Sequence, residues 1–153
     1  MKTLLLLTIS LLLFSCKTLK KDTTDDENKI KTEATSMQKI ELSKIEGKTF
    51  YWTNTKYSDG SIISPKEKSS YIIFAKGGKM KVQSDCNTGS STFTIDNYDL
   101  KVSPILATKK GCFESTEKKF FSGLTDGTKI YTKDNKLYID LKLDSGTMEF
   151  ISE

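Results

Sequence analysis

The sequence predicts an α+β domain: a curved antiparallel sheet of about seven or eight strands with one short helix packed on it. Three observations carry that expectation. Apolar residues recur with period two, as in Met80 and Val82, Phe93 and Ile95, Leu100 and Val102, then Leu137, Ile139, Leu141 and Leu143, then Met148 and Phe150. Side chains alternate across a strand, so this period gives each strand one dry face and one wet face. Short turn signals separate these runs at Gly77-Gly78, Asp96-Asn97, Asp134-Asn135 and Asp144-Ser145-Gly146, each suited to a hairpin between antiparallel neighbours. A single stretch, Ser115 to Leu124, departs from the pattern and reads as a helix.

The elements follow in chain order. Met1-Lys2-Thr3 precedes a stretch from Leu4 to Phe14 broken only by Thr8 and Ser10. It is much shorter than the roughly 20 residues that span a bilayer, so residues 1–15 read as a cleaved signal peptide. Leu13-Phe14-Ser15-Cys16 resembles a bacterial lipobox, which makes Cys16 the expected site of lipid attachment; ordinary secretion with a free Cys is the competing reading. Acyl chains, at about 0.8 kcal/mol per buried methylene, would hold the protein to a membrane. Residues 16–43 are polar and without an aromatic, and cannot bury enough surface to offset their ordering entropy. They read as a disordered tether, with a weak helix between Ile30 and Ile45 as the alternative.

From residue 44 to 153 the texture changes, and all the aromatics but Phe14 fall between Phe50 and Phe150. Phe50 to Thr53 and Tyr71 to Ala75 add two strands, the second a continuous apolar run suited to the sheet centre. The helix opens on Ser115 as N-cap with Glu117 in its first turn, and sets Phe120, Phe121 and Leu124 on one side. That stripe is read as core packing that closes the concave face of the sheet.

Composition narrows the chemistry. The 24 basic residues are all Lys, and the chain has no His and no Arg. It therefore has no imidazole base, no Ser/His or Cys/His dyad and no His-containing zinc site. It also has no bidentate clamp for phosphate, so a net charge of +4 is weak evidence for nucleic acid, and none is expected as a partner. No metal and no cofactor are expected. With Cys16 assigned to lipid, Cys86 and Cys112 remain as an even pair in an oxidising compartment, for which a disulfide is the default. Two free thiols and a thiol nucleophile compete with it, the latter with only Lys110 or a helix N-terminus to activate it.

Asp85-Cys86-Asn87, Phe93, Pro104-Ile105-Leu106-Ala107-Thr108 followed by Cys112, Glu117-x-x-Phe120-x-x-x-Leu124, Tyr131, and Asn135-Lys136-Leu137-Tyr138-Ile139 together resemble the META domain. That family includes the HslJ-like heat-shock lipoproteins of bacteria. Ile45-Glu46-Gly47 with Trp52 fits its usual start, so the resemblance covers about residues 45 to 151. Where family members commonly have Gly before the Cys-Asn pair this chain has Asp85, and where they often have Met before the second Cys it has Lys110. The resemblance implies a small α+β domain of envelope proteins linked to stress response, antibiotic tolerance or motility, with no established catalytic residue.

The expectation is a monomeric, non-enzymatic binding or stress-response module. It would be anchored by lipid in the bacterial envelope, at the outer membrane, and would meet an unknown envelope protein or ligand. Its expected contact surface comprises Asp85, Asn87, Thr108 and Lys110, on loops that a disulfide would hold rigid. Two other classes compete. A carrier would line a pocket with Phe113, Phe120 and Phe121, and a hydrolase would pair carboxylates from Asp85, Glu114 and Glu117.

Overall fold

The structure, a computed structural model, describes residues 37–153; the signal segment, Cys16 and most of the expected tether lie outside them. The chain forms α1 (Leu42–Ile45), β1 (Thr49–Tyr57), β2 (Ile62–Ile63), β3 (Tyr71–Ala75), β4 (Lys79–Gln83), β5 (Thr88–Asp96), β6 (Asp99–Val102), β7 (Leu106–Ala107), α2 (Glu117–Thr125), β8 (Gly127–Lys133), β9 (Lys136–Leu141) and β10 (Gly146–Ser152). The turns at Gly77-Gly78, Asp96-Asn97 and Asp134-Asn135 are where the sequence puts them, and the alternation holds as far as Leu141. At Asp134-Asn135 both residues take positive φ, 50° and 59°, the backbone a two-residue hairpin requires.

The expected curved sheet closes into a barrel. The eight long strands pair in the order β1-β3-β4-β5-β6-β8-β9-β10, and β10 returns to β1, every pairing antiparallel. Closure is made by β1, which runs nine residues rather than the four expected and carries β3 on one edge and β10 on the other. Closing the ring removes the two unpaired edges that an open sheet would present to other chains.

A bulge in β1 makes the long strand compatible with one core. Trp52 faces Phe150 and Asn54 faces Glu149, which leaves Thr53 as the extra residue. The inward phase therefore moves from Phe50 and Trp52 to Thr55, where strict alternation would have turned Asn54 into the core. Thr55 accepts the indole N–H of Trp52 at 3.0 Å, so the one polar atom of that ring is satisfied in the interior.

Trp52, Phe74, Phe120 and Phe150 are the largest of the fully buried side chains, and Phe120 stacks on Trp52 with centroids 5.0 Å apart. The space that a carrier would offer a ligand is thus occupied by the protein's own rings. Phe113, expected beside Phe120 in such a pocket, is instead fully exposed. Leu143 is a second correction. The periodic run ends inside the barrel at Leu141, and the turn Lys142–Asp144 takes Leu143 through φ 56° and out into solvent.

Strand direction sorts the connections into two ends. The hairpin turns after β3, β5 and β8 lie at the lower end with the chain start, and the remaining connections lie at the upper end. The segment from Gln38 to Gly47 crosses the lower mouth. Its first end bridges Thr132 at the bottom of β8, and its last reaches Phe74 at the bottom of β3, strands four places apart in the ring of eight. Ile40 and Ile45 are buried between these fixed ends. Residues 38–43, assigned to the tether from the sequence, therefore belong to the packed domain. The helix α2 crosses the upper mouth, from the β4–β5 loop to the β9–β10 turn, where Lys142 N–H donates to the Asp126 carbonyl at 2.8 Å. With both mouths covered and a complete core inside, residues 37–153 are a self-contained folding unit.

Candidate functional site: the braced upper rim

The upper rim is built from three pieces: the turn Ser84–Asn87 and, remote from it in sequence, the connection from Thr108 to Cys112 and the first turn of α2. Ser84 starts the turn. Its hydroxyl accepts the N–H of Asn87 at 2.7 Å and of Cys86 at 3.1 Å, and donates to the Glu117 carboxylate. A short polar side chain that satisfies the backbone two and three residues on is the usual means of folding such a turn.

Asn87 is the centre of the arrangement. It is only 2% exposed. Its carbonyl oxygen accepts from the Thr108 hydroxyl at 2.7 Å and from Lys110 N–H at 2.7 Å, while its amide donates to the Lys110 carbonyl at 3.1 Å and to Glu117 Oε1 at 3.0 Å. Two acceptor and two donor positions are the whole capacity of an amide side chain. Asn87 is therefore not part of a contact surface, as the sequence led one to expect; it is the clamp that holds the Thr108–Lys110 strip against the turn. Thr108 is likewise spent, since its hydroxyl also accepts from Thr88 N–H at 3.3 Å. Lys110 contributes its backbone to the clamp and leaves its side chain in solvent.

Asp85 performs a third structural task. Its carboxylate accepts from the Ser115 hydroxyl at 2.6 Å, from Thr116 N–H at 2.7 Å and from the Thr116 hydroxyl at 2.9 Å. Burial pushes the carboxyl up, but these hydrogen bonds outweigh it and hold the group below its ordinary value of 3.8. An anion from another loop thus caps the N-terminal end of α2, and Ser115 accepts Glu117 N–H at 3.0 Å beside it. Glu117 returns the connection through Ser84 and Asn87, so loop and helix are tied in both directions.

Cys86 and Cys112 are joined in a disulfide, with Cα atoms 5.9 Å apart. The carboxylates that a hydrolase would pair are committed separately: Asp85 to the helix cap, Glu117 to Ser84 and Asn87, and Glu114 to Lys66 at 2.7 Å. Gly89 lets β7 lie close on β5, because a Cβ there would come within 2.9 Å of both the Leu106 carbonyl and the Ile105 side chain. What the rim presents to solvent is a different set from the expected one: Leu106, the Lys110 side chain, Phe113, and the lysines on either side of that tip. Among the described residues no group of three or more His, Cys, Asp or Glu is placed to hold a metal ion, and no helix is long and apolar enough to cross a membrane.

Fold and rim define a small closed β-barrel with one mouth covered by a disulfide-braced helix. A family model, the META domain, matches residues 40–153, and the chain belongs to that family. Two solved structures share the fold. The NMR structure of a protein from Burkholderia xenovorans superposes with a TM-score of 0.61 at 12% identity, covering 73% of this chain and 86% of that one. The crystal structure of a DUF4847 family protein from Bacteroides vulgatus gives 0.54 at 14% identity, covering 70% and 93%. No curated protein matches the sequence.

Proposed function

We propose that the protein is a lipid-anchored META-domain module of the bacterial envelope that binds a partner through its upper rim and does not turn it over. One observation carries this reading: a disulfide, a saturated Asn87 and a carboxylate cap brace loops whose exposed side chains hold nothing else in place. Loops ordered in advance lose less entropy when they bind, which is the advantage such bracing gives a contact surface. The commitment of Asp85, Glu114 and Glu117 to structural partners supports binding over hydrolysis.

Anchoring is the part of the reading that rests on sequence, through the short apolar segment and Cys16. Replacing Cys16 with Ser should abolish incorporation of labelled fatty acid; label retained by the variant would refute the anchor. The rim is tested by placing a photo-crosslinking residue at Leu106 of the full chain in a bacterial host. Adducts at Leu106 that are absent from a position on the barrel wall, such as Thr94, are expected. Equal labelling at both positions would refute a dedicated surface.

A further inference from the structure

From the side chains that the rim exposes, we infer that it docks on an anionic lipid surface, with Phe113 and its neighbouring turn tips entering the interface and lysines meeting the headgroups. The inference deepens the rim-binding reading and rests on it. Four large apolar side chains stand at the upper end of the barrel: Ile62 is 60% exposed, Leu106 77%, Leu143 93% and Phe113 103%. At the lower end Met37, the first described residue, is 60% exposed, and Leu42 and Tyr98 only 41% and 38%.

One of the tips, Leu143, stands on backbone that is unfavourable for a bulky side chain, at φ 56°; beside Phe113 it is the following residue, Glu114, that takes the left-handed conformation, at φ 53°. A left-handed Leu that buries nothing is a local cost with no return inside the fold. Phe113 also follows Cys112 directly, so the disulfide fixes the base of its tip.

The charge around Phe113 selects the occupant. Lys109, Lys110, Lys118 and Lys119 flank it, and none forms an ion pair among the described residues. Of the acids in that stretch, Glu117 is turned into the clamp and Glu114 is matched by Lys66. Asp59, Glu67 and Asp144 on adjoining loops offset the lysines only in part. A protein interface concentrates Tyr, Trp and Arg at its centre and disfavours Lys, whereas this rim has Lys around separate apolar tips in a chain with no Arg. Apolar side chains that enter the acyl boundary, with lysines at headgroup depth, are how a soluble fold holds an anionic membrane.

The test is flotation of residues 37–153, which lack Cys16 and the apolar N-terminal segment, with phosphatidylcholine vesicles and with vesicles containing an equal share of phosphatidylglycerol. Binding to the anionic vesicles alone is expected, weakening as salt rises. Lys118→Gln with Lys119→Gln should weaken it about 30-fold. Phe113→Ser should weaken it about tenfold or more, with an unchanged denaturation midpoint because the ring touches no core residue. No binding to anionic vesicles, or binding indifferent to both the Phe113 and the Leu143→Ser changes, would overturn the inference. If the Leu106 crosslinker captures a protein while vesicles capture nothing, the rim reading stands and the lipid inference falls. If neither gives a signal, both fall.

Discussion

At the lower mouth of the barrel the segment from Gln38 to Gly47 crosses from β8 to β3, held by main-chain bridges at its two ends and by the burial of Ile40 and Ile45 between them. At the upper mouth α2 makes the corresponding crossing. It too buries apolar side chains, Phe120 and Leu124, but it adds a disulfide, the Asn87 clamp and the Asp85 cap. Both crossings exclude water from one core, so main-chain bridges and burial suffice to cover a mouth, with no buried side-chain clamp. The additional polar and covalent bracing is found on the long connection from Ser103 to Thr116, which it ties to the turn Ser84–Asn87 and which exposes side chains. The difference separates closing a barrel from holding a surface in shape.

The comparison can be broken most severely at the helix. Phe120→Ala removes the ring stacked on Trp52 and should destabilise the domain by about 3–5 kcal/mol, measured by chemical denaturation. A loss under about 1 kcal/mol would mean that α2 is an ornament on a barrel closed without it. Replacing Cys86 and Cys112 together by Ala releases a loop with a sequence separation of 26 and should cost about 3–4 kcal/mol in the chain-entropy account. The same experiment sharpens the contrast, because amide exchange should accelerate from Asp85 to Thr116 and remain slow in the segment from Gln38 to Gly47.

Asn87→Ala removes the buried amide that donates to the Lys110 carbonyl and Glu117 and accepts from Lys110 N–H and the Thr108 hydroxyl, and should cost roughly 2–3 kcal/mol. Tolerance of this change would return Asn87 to the list of contact residues from which its burial removes it. The smallest effect belongs to Asp85. Its carboxyl is depressed in the folded state, so it contributes stability that is fully present above its unfolded value, near 3.8, and is lost as pH falls through the lower folded value. Asp85→Asn should cost about 1 kcal/mol at neutral pH and flatten that acid limb of the stability curve. An unchanged limb would assign the acid sensitivity to other carboxylates.

Much of the barrel was legible. Met80, Val82, Phe93, Leu100, Leu137, Ile139, Met148 and Phe150 all fall inside as period two requires, and the helix buries Phe120 and Leu124 as its stripe suggests. Leu143 misled because it continued the period by one step past the end of its strand, and periodicity carries no signal for where a turn begins. The rim was half legible. The cysteine pair and the Asp-Cys-Asn triplet marked the place, but whether Asn87 faces solvent or a clamp depends on Thr108, Lys110 and Glu117, which only folding brings within reach. Ser115 accepts Glu117 N–H as the local capping rule expects, but the carboxylate that accepts Thr116 N–H comes from 31 positions earlier and carries no local signal.

By itself the sequence determined the alternating strands, the tight turns, the helix and its apolar stripe, because these depend on neighbours two to four residues apart. The tertiary structure decided the rest: that β1 meets β10 and closes the sheet, that two segments cross its mouths, and that the rim conceals Asn87 while exposing Phe113. Those outcomes are set by which groups meet across the ring, and a polar side chain takes its role from the partners it finds there.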